Sequence, residues 1–509
     1  MTTKRRTFRA AAIVFLILGT IAIAGGWKYA ADPSADKDCG PVAPRPTGSG
    51  RTINDVSCLN PTPVSDIIAV QTIDDVSGAL TRARREGLKV SIAGARHSQG
   101  GHAFAPGALV LDMRGFKSMS LDENARVLKV QSGATWHDIQ KYLHPRFAVK
   151  AMQSTDLFTV GGSISVNAHG MDHQAGSVGG TIRAMRVMTV DGTVHQVSHT
   201  EEPEFFRLVV GGYGLFGIIL DADLEITENA VYRSGRAVID YKDFPAFFEQ
   251  RIQRDETYRL LYAHLSTAPQ SFLRETIAYT YQQVPSQPSQ IPPLEDVGSV
   301  RLRRFVFNFS KMGALPMRLK WWAEKNIEPR IESCPAGEDN GCLVSRNHPM
   351  HDSVPYLMNS LAGETDILQE YFIPRDRFVP FVDGLRRIAA ANRANLLNAS
   401  IRVVHREDNF LNYAPGDMFA VVLYLNQKTT AQGSERMAML TRELIDLTIA
   451  SNGRFFLPYQ LHYTPAQLRR SYPEIEAFFR AKDQYDPGHL LTNTFYNKYA
   501  PTILAGQQP

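Results

Sequence analysis

The chain has 509 residues, 44% of them apolar and 21% charged, with 55 Lys and Arg against 51 Asp and Glu. That length allows two or three domains and a sizeable core, and that composition excludes a disordered chain. A net charge of +4 over the whole chain, with no basic stripe and no reading motif, argues against a nucleic-acid partner.

Lys4, Arg5, Arg6 and Arg9 precede an almost wholly apolar segment from Ala10 to Gly26, after which Pro, Asp and Gly take over. This is the pattern of a targeting segment. Its length is at the short edge of the ~17–25 residues that span a bilayer, so residues 1–31 are read as a cleaved signal or a retained membrane anchor. Arg5-Arg6-Thr7-Phe8 is similar to a bacterial twin-arginine export signal. Cys39 with Cys58 and Cys334 with Cys342 form two local pairs. Two short disulfide loops are the simplest pairing and suit an exported, oxidising location; four unpaired thiols are the alternative.

Pro, Gly, Ser and Asp dominate residues 32–62, read as a linker and lead-in to a first domain over 63–228. Thr72 and Asp75 form a capping-box pattern ahead of Ile73, Val76, Leu80 and Ala83 at helical spacing, with Gly87 as the stop. Strands are expected at Lys89 to Ala93 and Val127 to Gln131, and a helix with its own Thr/Asp box at Thr135 to Leu143. A hairpin is expected around Asp191-Gly192, then a long strand over Phe216 to Ile226. Short strands and helices without a strict βαβ alternation predict an α+β domain, not a doubly wound sheet.

Runs of small residues interrupt these elements. Ala93-Gly94-Ala95-Arg96-His97-Ser98 follows an apolar strand, and Thr159-Val160-Gly161-Gly162-Ser163 leads through Asn167, Ala168 and His169 to Gly170. A third is Val210-Gly211-Gly212-x-Gly214-x-Phe216-Gly217-Ile218. Such runs let backbone amides close on an anionic diphosphate without a lysine, and one imidazole, His97, stands among them.

Beyond Thr227 these runs stop, and a strand, helix, strand pattern occurs twice. The first copy is Ala237 to Tyr241, Phe244 to Ile252 and Arg259 to Leu265; the second is Leu368 to Ile373, Phe378 to Ala391 and Ser400 to His405. A strand at Met418 to Leu425 and a helix near Glu435 to Ser451 follow. This predicts a cap domain over 229–455, a sheet with helices on one face, and a C-terminal segment over 456–509. Gln282 to Pro349 predicts long loops, in which Arg301 to Arg304 and Leu319 to Lys325, with Trp321 and Trp322, are partly buried. Contact with a membrane surface or a partner is the alternative there.

In order and spacing, these motifs resemble the FAD-linked oxidase superfamily that includes vanillyl-alcohol oxidase, over about Pro63 to Thr227 and the C-terminal segment. His169-Gly170-Met171-Asp172-His173 looks like decaprenylphosphoryl ribose oxidases. His97-Ser98 with Ala105-Pro106-Gly107 looks like aldonolactone oxidases and cytokinin dehydrogenases, and the tail Leu491-Thr492-Asn493-Thr494-Phe495 is similar to the lactone oxidase ending. The resemblance implies a PCMH-type two-part FAD-binding domain with an α+β cap. It implies FAD held by Ala93, Gly94, Ala95, Arg96, His97, Ser98, Thr159, Gly161, Gly162, Ser163, Asn167, Ala168, Gly170, Gly217, Ile218 and Asn493. In relatives with histidine at the place of His97, the ring is bonded covalently to the flavin's 8α-methyl carbon; the ribose oxidases lack it. Ala168 stands where, in the plant galactonolactone dehydrogenase it resembles, alanine keeps oxygen from the reduced flavin, which implies a dehydrogenase over an oxidase.

In the cap, Ser400-Ile401-Arg402-Val403-Val404 with Glu407-Asp408 resembles the family's Glu-x-Arg strand, whose arginine lies by the flavin and holds negative charge. Ser400 stands in the glutamate's place, and Leu457-Pro458-Tyr459-Gln460 stands where lactone oxidases carry His-Trp-x-Lys, so two substrate-side groups are missing. Arg402, His169, Tyr459 and His462 are the candidate catalytic residues, with Tyr463 beside them; packed interior residues are the competing reading of Tyr459, His462 and Tyr463. The acidic residue that cytokinin enzymes place before the second run does not align with Asp156, which argues against an amine substrate. Neither cysteine pair has zinc-site spacing with matching histidines, so no metal is expected.

The resulting expectation is an exported or membrane-anchored flavoenzyme oxidising a CH–OH group of a sugar-like substrate, lipid-linked in the reading nearest the ribose oxidases, with an unnamed electron acceptor. A polyol or aldonolactone oxidase is the alternative within enzymes. A flavin-bearing binding protein with decayed chemistry is the alternative outside them.

Overall fold

In the computed structural model of the chain, residues 51–285, 290–296, 300–327, 342–352, 361 and 363–506 are described. The targeting segment expected at 1–31, Cys39 and Cys334 lie outside them. The described cysteines, Cys58 and Cys342, carry no free thiol. No helix among the described residues is long and apolar enough to cross a membrane.

The first half is built in two parts. After β1 (Arg51–Ile53) and β2 (Thr62–Val64), β3 (Asp66–Ala69), α1 (Ile73–Glu86), β4 (Val90–Ala93) and β5 (Leu109–Asp112) form a small unit. Its parallel sheet has the order β3-β5-β4. Helix α1 starts at the Thr72/Asp75 capping box and ends at Gly87, whose φ of 65° is the left-handed cap that glycine adopts freely. Val76, Ala79, Leu80 and Ala83 lie buried on one face of it.

The second part comprises β6 (Met119–Asp122), β7 (Val127–Gln131), α2 (Trp136–Leu143), β8 (Phe147–Val149), α3 (Val160–Ser165), β9 (Ile182–Met188), β10 (Val194–Val197), α4 (Pro203–Val209) and β11 (Ile218–Glu228). Its antiparallel sheet runs β10-β9-β11-β7-β6, with β8 on the end of β11. The expected hairpin closes at Gly192, φ 94°. Helix α2 carries the expected Thr135/Asp138 box.

From Val231 the chain enters a different sheet. Strands β12 (Val231–Asp240), β13 (Tyr258–Leu265), β14 (Glu275–Val284), β15 (Leu343–Ser345), β16 (Glu364–Pro374), β17 (Asn395–Val404), β18 (Met418–Lys428) and β19 (Arg454–Phe455) make one eight-stranded antiparallel sheet in the order β15-β12-β14-β13-β17-β18-β16-β19. The short α5 (Phe244–Phe247) follows β12, and α8 (Phe378–Ala391) and α9 (Ala431–Ala450) also connect its strands. Between β14 and β15 stand α6 (Val300–Ser310) and α7 (Ala314–Asn326).

The long loops expected between Gln282 and Pro349 are corrected here: the described part of that stretch is largely a helical hairpin. Pro316 sits in the first turn of α7, where a missing N–H costs nothing. Phe307, Met317 and Trp321 turn inward to supply the apolar face. In α7 the pattern was hidden because the opposite face is apolar too. The tail, with α10 (Pro465–Ser471), α11 (Ile475–Tyr485) and α12 (Thr494–Ala505), returns to the first part. Leu491 bridges β4 at Val90, the Thr492 amide donates to the Val90 carbonyl at 2.8 Å, and the Ser91 hydroxyl donates to the Thr492 carbonyl at 2.6 Å.

Candidate active site

The three glycine-bearing runs meet around one cavity of about 1090 Å³ of atom-free space, its open mouth included. Gly94, Ala95, Arg96, His97 and Ser98 line it from the loop after β4; Thr159, Gly161 and Gly162 from the start of α3; Gly214 and Gly217 from the turn before β11. The first two runs are in contact: a Cβ at Gly94 would stand 2.1 Å from Thr159 Oγ1.

The amides of Gly94, Ala95, His97 and Ser98 donate to no protein acceptor among the described residues. Arg96 between them takes φ 57°, and a left-handed residue in such a run turns successive N–H groups toward one concavity, an anion-binding nest. The second run behaves differently. The Val160 amide is taken by the Ala134 carbonyl at 2.9 Å and the Gly161 amide by the Ser132 carbonyl at 2.8 Å, so those two are spent inside the protein. Glycine at 161 answers to packing, since a Cβ there would meet Ser132 Cβ at 2.7 Å.

Two histidines border the cavity. His97 packs edge-on against Phe158 at 4.6 Å, and burial, with Arg96 beside it, pushes its pKa down to about 4. It is therefore a neutral ring at neutral pH. His102 stacks on Phe495 at 5.6 Å, and burial pushes it to about 3, partly offset by the Leu457 carbonyl. Neither of its ring nitrogens meets a well-formed hydrogen-bond partner in the protein.

On the cap side, Leu368, Phe456, Pro458 and Tyr459 complete the wall. The Tyr459 hydroxyl donates to Glu370 Oε2 at 3.3 Å, and Glu370 Oε1 lies 2.7 Å from His169 Nε2. Glu370 and His169 are 4% and 5% exposed at the side chain, so this is a buried pair. With the carboxylate ionised, Nε2 carries the proton and Nδ1 is left as a lone pair; Nδ1 is buried without a partner. Arg402 is not on the cavity wall. Its guanidinium lies in the fields of Glu370, Tyr262 and Tyr459, with Nη1 buried and unpartnered. Burial raises the Tyr459 phenol well above the usual tyrosine range, Glu370 adds to this, and Arg402 opposes it.

Other sequence-expected residues lie behind the wall. Ala93 ends β4 in the core. Ser163 donates to Gln153 Oε1 at 2.7 Å and accepts from Trp136 Nε1 at 2.9 Å, holding Gln153 at the cavity. Asn167, at φ 49°, accepts from the Gly179 amide at 2.9 Å and donates to Glu407, which joins the first domain to the cap. Ala168 is buried between the Ser163 carbonyl and the Val178 amide. Gly170 is pressed on the Met152 carbonyl, 2.0 Å from where a Cβ would be. Ile218 is core, and Ile219 faces the cavity in its place. Asn493 donates to the Tyr213 carbonyl at 2.9 Å and caps α12. His462 stands apart from the cavity between Lys498 and Arg442, and burial pushes it to about 4. Tyr463 stacks on Tyr499 at 4.6 Å.

Glu370 escaped the sequence reading because it lies in an ordinary strand without a motif, and Glu407 entered it only as part of the stretch that resembles the Glu-x-Arg strand, without a role of its own. Glu407 accepts from Ser177 at 2.9 Å and from Tyr413 at 3.3 Å, and burial pushes it up to about 7. A further cluster was also missed. His137 and His351 stack at 4.6 Å with planes 12° apart. Both Nδ1 atoms lie on Asp156 Oδ2, at 2.8 and 3.1 Å, and both Nε2 atoms on Asp296 Oδ1, at 3.7 and 3.1 Å. Parallel rings send their in-plane lone pairs side by side rather than to one point, so the arrangement reads as a hydrogen-bonded clip, although its atoms lie within 4.8 Å of one another.

The model of the FAD binding domain matches residues 65–198. The chain is 34% identical to the decaprenylphosphoryl-beta-D-ribose oxidase of Mycolicibacterium smegmatis over 32% of this chain and 37% of that protein. It is 24% identical to cytokinin dehydrogenase 4 of Arabidopsis thaliana over 80% of each, and 22% identical to the L-gulonolactone oxidase of Mus musculus over 38% of this chain and 44% of that protein. The chain thus spans about two-fifths of the length of the mycobacterial relative. The site suits the dinucleotide: unengaged amides of the run after β4 line one end of the cavity, and the His102 ring, without a well-formed partner at either nitrogen, borders it.

Proposed function

We propose, from a chain that carries an FAD-binding domain of the FAD-linked oxidase superfamily with FAD as its cofactor, that the protein oxidises a CH–OH group of a sugar-like, lipid-linked substrate. The observation that carries this reading is the single cavity shared by the amide nest after β4 and by Tyr459 of the cap. FAD, when bound there, supplies the hydride acceptor.

The nest amides and Gly162 hold the diphosphate. His97, kept neutral by burial, has a lone pair with which to carry the flavin covalently. The substrate hydroxyl meets Tyr459, whose burial keeps it protonated at rest. Tyr459 therefore acts as a relay: it takes the hydroxyl proton as its own passes to Glu370 Oε2, 3.3 Å away. The imidazole N–H of His169 and the field of Arg402 compensate the buried carboxylate.

Lactone oxidases carry their carboxylate at the place of Ser400. Here Ser400 pairs with Val422, and Val422 with Glu370. Glu370 thus stands on the same cross-strand row and face, two strands and about 10 Å away. The carboxylate missing from one strand is supplied by another. The same reading makes the protein a dehydrogenase, exported and held at a membrane by its N-terminal segment, although Ala168 lies behind the cavity wall and does not itself border the flavin site.

Anaerobic mixing with polyprenyl glycosides, free sugars, polyols and aldonolactones tests it. Bleaching of the yellow protein by a glycoside is the expected result, with hydrogen peroxide forming far more slowly than turnover in air. A flavin that no hydroxyl compound reduces would overturn it in favour of a binding protein.

A further inference from the structure

We infer that the outer face of the α6–α7 hairpin docks the protein on a bilayer surface containing anionic lipid. This goes beyond the redox reading and does not depend on it. Of the ten large apolar side chains most exposed among the described residues, six fall in this hairpin: Leu302, Met312, Leu315, Leu319, Trp322 and Ile327, with Met312 77% and Leu315 64% exposed. Leu315, Leu319 and Trp322 follow at helical spacing along one stripe of α7. Soluble surfaces scatter such residues singly, and a contiguous stripe marks an interaction face.

The inner face explains why the outer one is not simply loose. Phe307 and Met317 pack with Leu397 and Tyr424, and Trp321 with Tyr279 and Ile277. Lys311 pairs with Asp366 at 2.6 Å, both almost fully buried, and Lys325 pairs with Glu275 at 2.8 Å. The Lys320 ammonium donates to the Leu397 carbonyl at 2.7 Å. The hairpin is pinned to the cap sheet and presents its stripe rigidly.

Three observations choose a membrane as the occupant. First, the exposed charge within the stripe, Arg318, is basic, while the hairpin's one acidic residue, Glu324, is turned inward onto His264 at 2.6 Å. An apolar stripe with a Trp and flanking Arg is the pattern that seats in the headgroup layer of an anionic leaflet. Secondly, the Ser57 carbonyl accepts from Thr365 Oγ1 at 2.6 Å, one residue from the Asp366 that holds Lys311. The chain thus passes beside the hairpin's turn at Ser57, 31 residues after the apolar segment Ala10 to Gly26 ends, a span of at most about 110 Å. Thirdly, Leu368 packs on the hairpin's inner cluster and lines the cavity, so docking brings that wall to the lipid.

The test uses the full chain loaded with FAD and vesicles of phosphatidylglycerol and phosphatidylcholine in equal parts. Hydrogen exchange of peptides covering 312–327 is expected to slow about tenfold on the vesicles relative to buffer. In a Trp27→Phe background, Trp322 fluorescence is expected to be quenched by brominated lipid. The triple variant L315E, L319E, W322E is expected to lose both effects while keeping its yellow colour; Leu319→Gln alone weakens them should the triple variant fail to fold. Vesicle-bound protein with unchanged exchange over 312–327 would overturn the inference. So would protection that appears without lipid and rises with protein concentration, which would assign the face to a second copy of the chain.

Discussion

Replacing Glu370 by Gln separates proton transfer from architecture. The amide is nearly isosteric, so its oxygen still accepts from His169 Nε2, 2.7 Å away, while its NH₂ group faces the Tyr459 hydroxyl at 3.3 Å, which turns to accept. Exchanging a charge-assisted for a neutral hydrogen bond costs about 1 kcal/mol of stability. The relay, in contrast, loses its proton acceptor. General-base steps of this kind contribute ~10²–10⁴ in rate, or about 3–5 kcal/mol of barrier. Anaerobic stopped-flow reduction of the flavin by the best hydroxyl substrate is therefore expected to slow about a hundredfold or more, with FAD content unchanged. Reduction within about threefold of wild type would refute Glu370 as acceptor while leaving the flavin chemistry standing.

His97→Ala is expected to release flavin into the supernatant on acid precipitation, where the wild type keeps it on the polypeptide; equal release from both would remove the covalent bond. Gly94→Ala sets a Cβ 2.1 Å from Thr159 Oγ1 and 3.2 Å from its Cβ, an overlap that rotating the threonine does not relieve. A loss of about 1–3 kcal/mol and a lower FAD content at purification are expected, read by thermal melting and visible absorbance. Glu407, raised from 4.5 to about 7, binds its proton more tightly folded than unfolded. Its contribution to stability is thus fully present below about pH 4.5 and lost as pH rises through about 7, by about 3 kcal/mol. Melting curves across that window should fall more steeply for wild type than for Glu407→Gln. His102 works with the opposite sign: depressed from 6.5 to about 3, it stabilises above pH 6.5 and loses that contribution toward pH 3, so His102→Gln should flatten the acid side of the curve.

What the sequence by itself determined lies within a few residues of chain. The capping boxes at Thr72 and Thr135, the turn at Gly192 and the small-residue run after β4 follow from backbone sterics and side-chain bonds that neighbours alone decide. Tertiary structure decided what depends on distant partners. His169 meets Glu370 across 201 positions of sequence because the cap sheet docks on the loop after α3, a contact no local pattern encodes. Asn167 and Ser163 turn to Glu407 and Trp136 instead of the cavity, because buried amides and hydroxyls take whichever partner packing brings. Helix α6 is amphipathic but was obscured by the Pro-rich stretch before it, whereas α7 read as loop because apolar residues on both faces blur its helical period. Only the sheet beneath it sorts Met317 inward and Leu315 outward, since which side of a helix is buried is fixed by what it lands on.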